Sequence, residues 1–202
     1  AYAIFANGGY RVAPYFIERV EDAKGNVLMA AQPAAAGAGA ERAIDARNAF
    51  IMTSIMRDVV RTGTGARAMK LGRSDLAGKT GTTNEFVDAW FCGSTSELVA
   101  VAWIGFDAPR TLGRNETGAQ AALPIWMGYM GTVLDGVPEQ PLAPPDGVVA
   151  LHVNPDTGLR IADAQAGIVD YFYQEFPPPA HETLIGGVVG GERPEEVRNQ
   201  LF

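Results

Sequence analysis

The chain has 202 residues, 47% of them hydrophobic and 19% charged, with a formal net charge of −7. That balance supports a folded core and argues against a surface for nucleic acid, which needs clustered Lys and Arg to neutralise phosphates, while leaving room for a local basic site. The single cysteine, Cys92, excludes an internal disulfide and a zinc cage built from cysteines, and no apolar run reaches the ~20 residues that a membrane-spanning helix needs.

Residues 1–6 read as the last turns of a helix, stopped by Asn7-Gly8-Gly9, residue types that accept a left-handed cap. Tyr10 to Val20 is rich in aromatic and β-branched residues, Asp22 to Asn26 is a turn, and Val27 to Met29 begins a return strand, so a β-hairpin is predicted. Glu18, Glu21 and Asp22 read as a solvated acidic face of that hairpin. Gln32 to Ala40 is an Ala/Gly surface loop without chemistry. Asp45 opens a helix that runs to about Arg61, with Ala49, Met52, Ile55, Met56 and Val59 at helical spacing and predicted to face the core. Thr62-Gly63-Thr64-Gly65 ends it. Gly63-Thr64-Gly65 lacks the Lys and the preceding strand of a phosphate loop and reads as a helix stop.

Leu76 to Thr83, Ala89 to Ser94 and Leu98 to Phe106 form three predicted strands in an antiparallel meander. The third is apolar on both faces, the pattern of a strand covered on two sides. Trp90, Trp103 and Trp126 read as core anchors, with a cleft-facing tryptophan as the alternative, and Cys92 as a small buried hydrophobe. Asp107 to Thr117 is a polar loop, and Gly118 to Leu134 returns to helical spacing, with Pro124 in the first turns where a missing N–H is tolerated. Beyond Gly136, prolines mark a linker, and Val148 to Val153 with Leu159 to Ala162 is predicted as a small terminal hairpin carrying His152 as a surface or satisfied histidine. Residues 177–202 read as a Pro-, Gly- and Glu-rich flexible tail. The predicted organisation is a domain part over 1–135, a linker and β extension over 136–176, and the tail.

The residues that point to chemistry are Lys79-Thr80-Gly81-Thr82-Thr83. On a strand, Thr80 and Thr82 share a face. Two hydroxyls beside one ammonium suit a carboxylate, because the charge attracts and the hydroxyls orient. A backbone N–H at an exposed strand edge can also stabilise an oxyanion. No cofactor or metal is called for.

Lys-Thr-Gly is also the third motif of β-lactamases and penicillin-binding proteins. The segments Ala1 to Gly9, Leu76 to Asn84 with Asp88-Ala89-Trp90-Phe91, and Gly118-Ala119 to Trp126 resemble, in the same order, the C-terminal part of the transpeptidase domain of class A, 1A-type bifunctional penicillin-binding proteins. The resemblance covers about residues 1–135. It implies an α/β fold: an antiparallel sheet flanked by two helices, part of the serine β-lactamase/penicillin-binding transpeptidase fold, followed by the small β extension. It implies a parent that cross-links peptidoglycan by acyl transfer and binds β-lactams. In that frame Lys79 supplies charge and assists proton movement. Thr80 and Thr82 hold the terminal carboxylate of a D-Ala-D-Ala stem peptide or β-lactam, the N–H of Thr82 is an oxyanion donor, and Thr83 and Asn84 line the rim.

The family also needs Ser-x-x-Lys and Ser-x-Asn, and none of Ser54, Ser74, Ser94 and Ser96 has Lys three residues on or Asn two residues on. Both motifs are expected upstream, in the rest of the same protein, with an anchor at the periplasmic face of the inner membrane. The isolated chain is therefore expected to be inactive. A β-lactam-sensing or cell-wall docking module is the alternative, and a β-lactamase fragment fits the strand but not the proline-rich stretch after Gly136.

Overall fold

A computed structural model describes residues 1–161 and 167–179; most of the predicted tail lies outside them. The chain divides into two units, Ala1–Asp146 and Gly147–Phe202.

The first unit opens with helix α1, Tyr2–Ala6. Gly9 N–H donates to Ile4 O at 2.8 Å and the Asn7 side chain bonds both the N–H and the C=O of Tyr10, so the predicted stop is closed by Asn7 as much as by the glycines. Strand β1, Tyr10–Arg11, then pairs with β4, Glu41–Arg42, a ladder without a signal in the local sequence pattern. The predicted hairpin exists but is shorter: β2, Arg19–Glu21, pairs with β3, Val27–Ala30, around a turn in which Asp22 accepts the N–H groups of Lys24 and Asn26. Every residue of both strands is exposed.

Helix α2 spans Ala46–Arg61, capped by the Asp45 carboxylate, which accepts Arg47 N–H at 2.9 Å. Its buried side is Ala49, Phe50, Ser54, Met56 and Val60. Ile55, predicted to face the core, is 50% exposed, because the buried stripe runs through Ala49, Met56 and Val60 and puts position 55 on the flank. A 3₁₀ segment, Ala66–Leu71, follows.

The meander forms as predicted: β5 (Ala77–Thr82), β6 (Ala89–Ser94) and β7 (Val99–Ile104) pair antiparallel in that order. A π-helical turn, Gly118–Ala122, leads into α3, Leu123–Val133. Trp126 on α3 crosses Phe91 of β6 edge-on at 4.9 Å and donates its indole N–H to Ala100 O at 3.1 Å. Gly93 leaves the space for this ring, since a Cβ there would come within 2.6 Å of it. Val60, Ala68, Leu76, Phe91, Leu123, Trp126 and Met130 share one core.

The opposite sheet face is less covered. Cys92 is half-buried beside α1, and burial pushes both its thiol and the Tyr2 hydroxyl above their ordinary pKa values. Trp90 and Trp103 are not core anchors: they lean on each other at 5.7 Å, 38% and 47% exposed. Nor is β7 covered on both sides, since Val101 is 53% exposed and the strand ends the sheet.

In the second unit β8, Val148–Val153, pairs with β9, Ile168–Tyr173, and not chiefly with the predicted Leu159 segment. That segment adds only an Arg160–Val153 bridge, with Asn154 N–H to Leu159 O and Ile161 N–H to His152 O; Ala162 lies outside the described residues. His152 is not fully satisfied among the described residues: its Nδ1 is buried and none of them supplies a hydrogen-bond partner. Among the described residues no helix is long and apolar enough to cross a membrane.

Candidate active site

Among the described residues strand β5 has one partner, β6, and its other edge is open. The direction of its backbone groups follows from the turn beyond it. Thr83 N–H donates to Asp88 O at 3.1 Å, which makes Thr83 and Asp88 a hydrogen-bonded pair. In an antiparallel ladder such pairs alternate. Gly81 and Lys79 therefore face β6, and the N–H and C=O of Thr80 and Thr82 face the open edge. The Thr80 carbonyl agrees, because it accepts Lys79 Nζ at 2.8 Å.

Lys79 leaves the strand on the Cys92 side and curls round this edge. Its Nζ also lies 3.3 Å from Thr80 Oγ1. Thr80 and Thr82 lie on the other face together. Thr80 Oγ1 is 2.8 Å from Thr64 Oγ1, and Thr82 Oγ1 accepts Gly118 N–H at 3.0 Å. Lys79 and Thr82 are exposed and Thr80 is half-buried, so the three polar groups stand on an accessible edge.

Thr83 and Asn84 are arranged differently. The Thr83 hydroxyl closes the turn, accepting Asp88 N–H at 2.7 Å. Asn84 begins the 3₁₀ turn Asn84–Phe86 and is exposed at the rim. Glu85 and Phe86 next to it hold φ of 59° and 54°, the sparsely populated left-handed region that non-glycine residues enter when neighbours enforce it. One such neighbour is visible: Leu112 N–H donates to Phe86 O at 2.8 Å, pinning the polar 107–117 loop to the turn. Across the turn Trp103 Nε1 donates to Asp88 Oδ1 at 2.9 Å. The far end of β5, at Ala77, borders a cavity of about 40 Å³ shared with Asp75, Ser94 and Thr95, too small for more than a water or two.

The family model for the penicillin-binding protein transpeptidase domain matches residues 1–111, more than half of the chain. The chain belongs to the penicillin-binding protein transpeptidase domain family. It is similar to penicillin-binding protein 1A of Pseudomonas aeruginosa, at 40% identity over 97% of this chain and 30% of that protein. It is also similar to penicillin-binding protein 1A of Neisseria lactamica, at 51% identity over 82% of this chain and 22% of that protein. The crystal structure of penicillin-binding protein 1A from Haemophilus influenzae matches with a TM-score of 0.80 and 33% identity, over 88% of this chain and 31% of that one. The chain thus spans about a third or less of the relatives it matches.

In this transpeptidase-domain segment two residues beside the Lys-Thr-Gly-Thr strand carry no functional signal in the sequence. Local pattern marks Thr64 only as part of a helix stop and Gly118 only as the start of a helix. Their contacts with β5 span 16 and 36 residues, beyond the reach of any local pattern.

Proposed function

We propose that this segment supplies the carboxylate seat of a peptidoglycan D,D-transpeptidase whose nucleophile comes from an upstream part of the same protein. The observation that carries the reading is the open edge of β5, where Lys79 Nζ, Thr80 Oγ1 and Thr82 Oγ1 stand beside an outward-facing Thr82 N–H. One ammonium and two hydroxyls match the terminal carboxylate of a D-Ala-D-Ala stem peptide, or of a β-lactam in its place. The Thr82 N–H is one oxyanion donor, Lys79 adds positive charge and assists proton movement, and Asn84 and Thr83 border the rim.

In the reaction an upstream serine Oγ attacks the carbonyl of the penultimate D-Ala. The new C–O bond forms, the C–N bond to the terminal D-Ala breaks, and the serine proton leaves on the departing amine. An amine from a neighbouring stem then attacks the ester, forming the cross-link and returning a proton to the serine. The present chain takes no nucleophilic part, because none of its four serines has Lys at the third following position. The parent works at the periplasmic face of the inner membrane, held there by an upstream anchor.

Exposure of the full-length parent and of the 202-residue chain to a fluorescent penicillin, followed by denaturing electrophoresis, tests this. The parent labels covalently, the isolated chain does not, and Lys79→Ala in the parent slows labelling roughly a hundredfold, the size of losing one preorganised charged group. A labelled isolated chain, or an undiminished Lys79→Ala parent, contradicts the reading.

A further inference from the structure

Thr64 sits between the end of α2 and the 3₁₀ segment at Ala66, flanked by two glycines at which a side chain would be crowded. A Cβ on Gly63 would come within 2.9 Å of Val59 Cα, and one on Gly65 within 3.2 Å of Val59 O and 3.4 Å of the Phe91 ring. Gly65 N–H donates to Val59 O at 3.0 Å and Ala66 N–H to Gly63 O at 3.1 Å. The loop is thereby folded flat on the helix end, with Gly65 buried and Thr64 exposed. Its hydroxyl oxygen then lies 2.8 Å from that of Thr80. The glycines do more than stop a helix: they bring a third hydroxyl to the edge of β5.

Counting protons and lone pairs shows what that hydroxyl does. Each hydroxyl has one proton to donate and two lone pairs to accept with. Lys79 Nζ, 3.3 Å away, donates to one lone pair of Thr80 Oγ1. If Thr64 donates to the other, Thr80 is full as an acceptor and its own proton is left over. In the opposite sense Thr80 donates to Thr64, and the Thr64 proton is left over. Either way the pair keeps one uncommitted O–H, which a carboxylate oxygen can accept, together with two free lone pairs.

We propose that Thr64 is a positioning residue of the carboxylate seat, turning the Thr64–Thr80 pair into a hydrogen-bond donor for an anionic group. The inference rests on the reading of the β5 edge given under Proposed function. It adds a residue from outside the Lys-Thr-Gly-Thr strand and makes that residue selective, favouring ligands that carry a negative charge at that position.

The experiment compares acylation of the full-length protein by a penicillin with a free carboxylate and by the methyl ester of the same penicillin. The ratio of the two rates, read within one preparation, cancels the fraction of correctly folded protein. Wild type favours the free acid. Thr64→Val, which keeps the shape and removes the hydroxyl, lowers the acid-to-ester ratio about tenfold, the size of one hydroxyl hydrogen bond to a charged group. Thr64→Ser, which keeps the hydroxyl, stays within about twofold of wild type. A Thr64→Val protein with the wild-type ratio overturns the inference, including the case in which both rates fall together, and leaves the Lys79, Thr80 and Thr82 reading standing. A wild-type protein that is not acylated, or that shows no preference for the acid, overturns that underlying reading and the inference with it.

Discussion

The Thr82 hydroxyl accepts Gly118 N–H, so one of its lone pairs is occupied from within the protein and its own proton is left over. Gly118 can approach this closely only without a side chain. A Cβ there would collide with the Trp90 carbonyl oxygen and lie 2.5 Å from Gly81 O and 3.0 Å from Gly81 N. Gly118→Ala must therefore push the π-helical turn off β5, at a cost of about 1–3 kcal/mol for overpacking a tight contact. Denaturant unfolding of the full-length protein should show that loss, with slower penicillin labelling alongside; unchanged stability would mean that the two glycines are not pressed together. At this scale the sequence is informative where function is written in neighbouring residues. Lys79, Thr80 and Thr82 need only strand alternation to be grouped. Gly118 and Thr64 meet them across the fold and emerge only once the chain is closed. Trp90 and Trp103 mislead in a related way, because an apolar strand pattern does not say which face is covered, and Trp103 instead directs its indole N–H to Asp88.

Between elements, the start of β5 is fastened to the segment after α3 by a buried charge cluster. Arg73 grips Asp75 with two hydrogen bonds of 2.9 and 2.7 Å and also donates to Val137 O at 2.6 Å. The Asp75 side chain is 2% exposed and that of Arg73 is 12% exposed. Removing one partner leaves the other charge buried and unpaired, so Asp75→Ala should destabilise the domain by about 3–5 kcal/mol in thermal or denaturant unfolding; a loss below about 1 kcal/mol would mark the pair as a surface contact. Glu139 completes the fastening, accepting the Ser74 hydroxyl at 2.5 Å and the Ser74 N–H at 2.9 Å. These two bonds, the hydroxyl first, hold its carboxyl below the usual glutamate value. A depressed folded value means that the contribution is present above the unfolded pKa, about 4.3, and is lost as pH falls through the folded one. The melting temperature of wild type should therefore drop more steeply than that of Glu139→Gln in that acid window. Parallel profiles would show that the carboxylate is not bound there.

Helix α2, its Asp45 cap and the β5–β6–β7 meander are legible in the sequence because their signals are periodic and their connections short. The β1–β4 ladder joins residues 30 and more apart, and β9 reaches β8 past a nearer candidate, so both depend on loop closure that periodicity does not encode.

For the first unit as a whole, the faces that carry no cover are as informative as the core. Val101 on the outer strand of the sheet, with Ile125 at 55% and Tyr129 at 51% exposure on α3, borders an apolar groove beside a strand edge that has no partner among the described residues. Unpaired edges beside apolar surface template association. The isolated chain should accordingly self-associate as its concentration rises, seen by light scattering, and Val101→Lys should suppress this. A monodisperse chain with a cooperative unfolding transition would contradict the expectation.

The measurement that reaches furthest is a crystal structure of the full-length protein acylated by a penicillin. The ligand carboxylate should lie within about 2.6–3.2 Å of the Thr80 and Thr82 hydroxyl oxygens, with the acyl oxygen on the Thr82 N–H. A carboxylate held by another element, with the outer edge of β5 facing only solvent, would contradict the carboxylate seat.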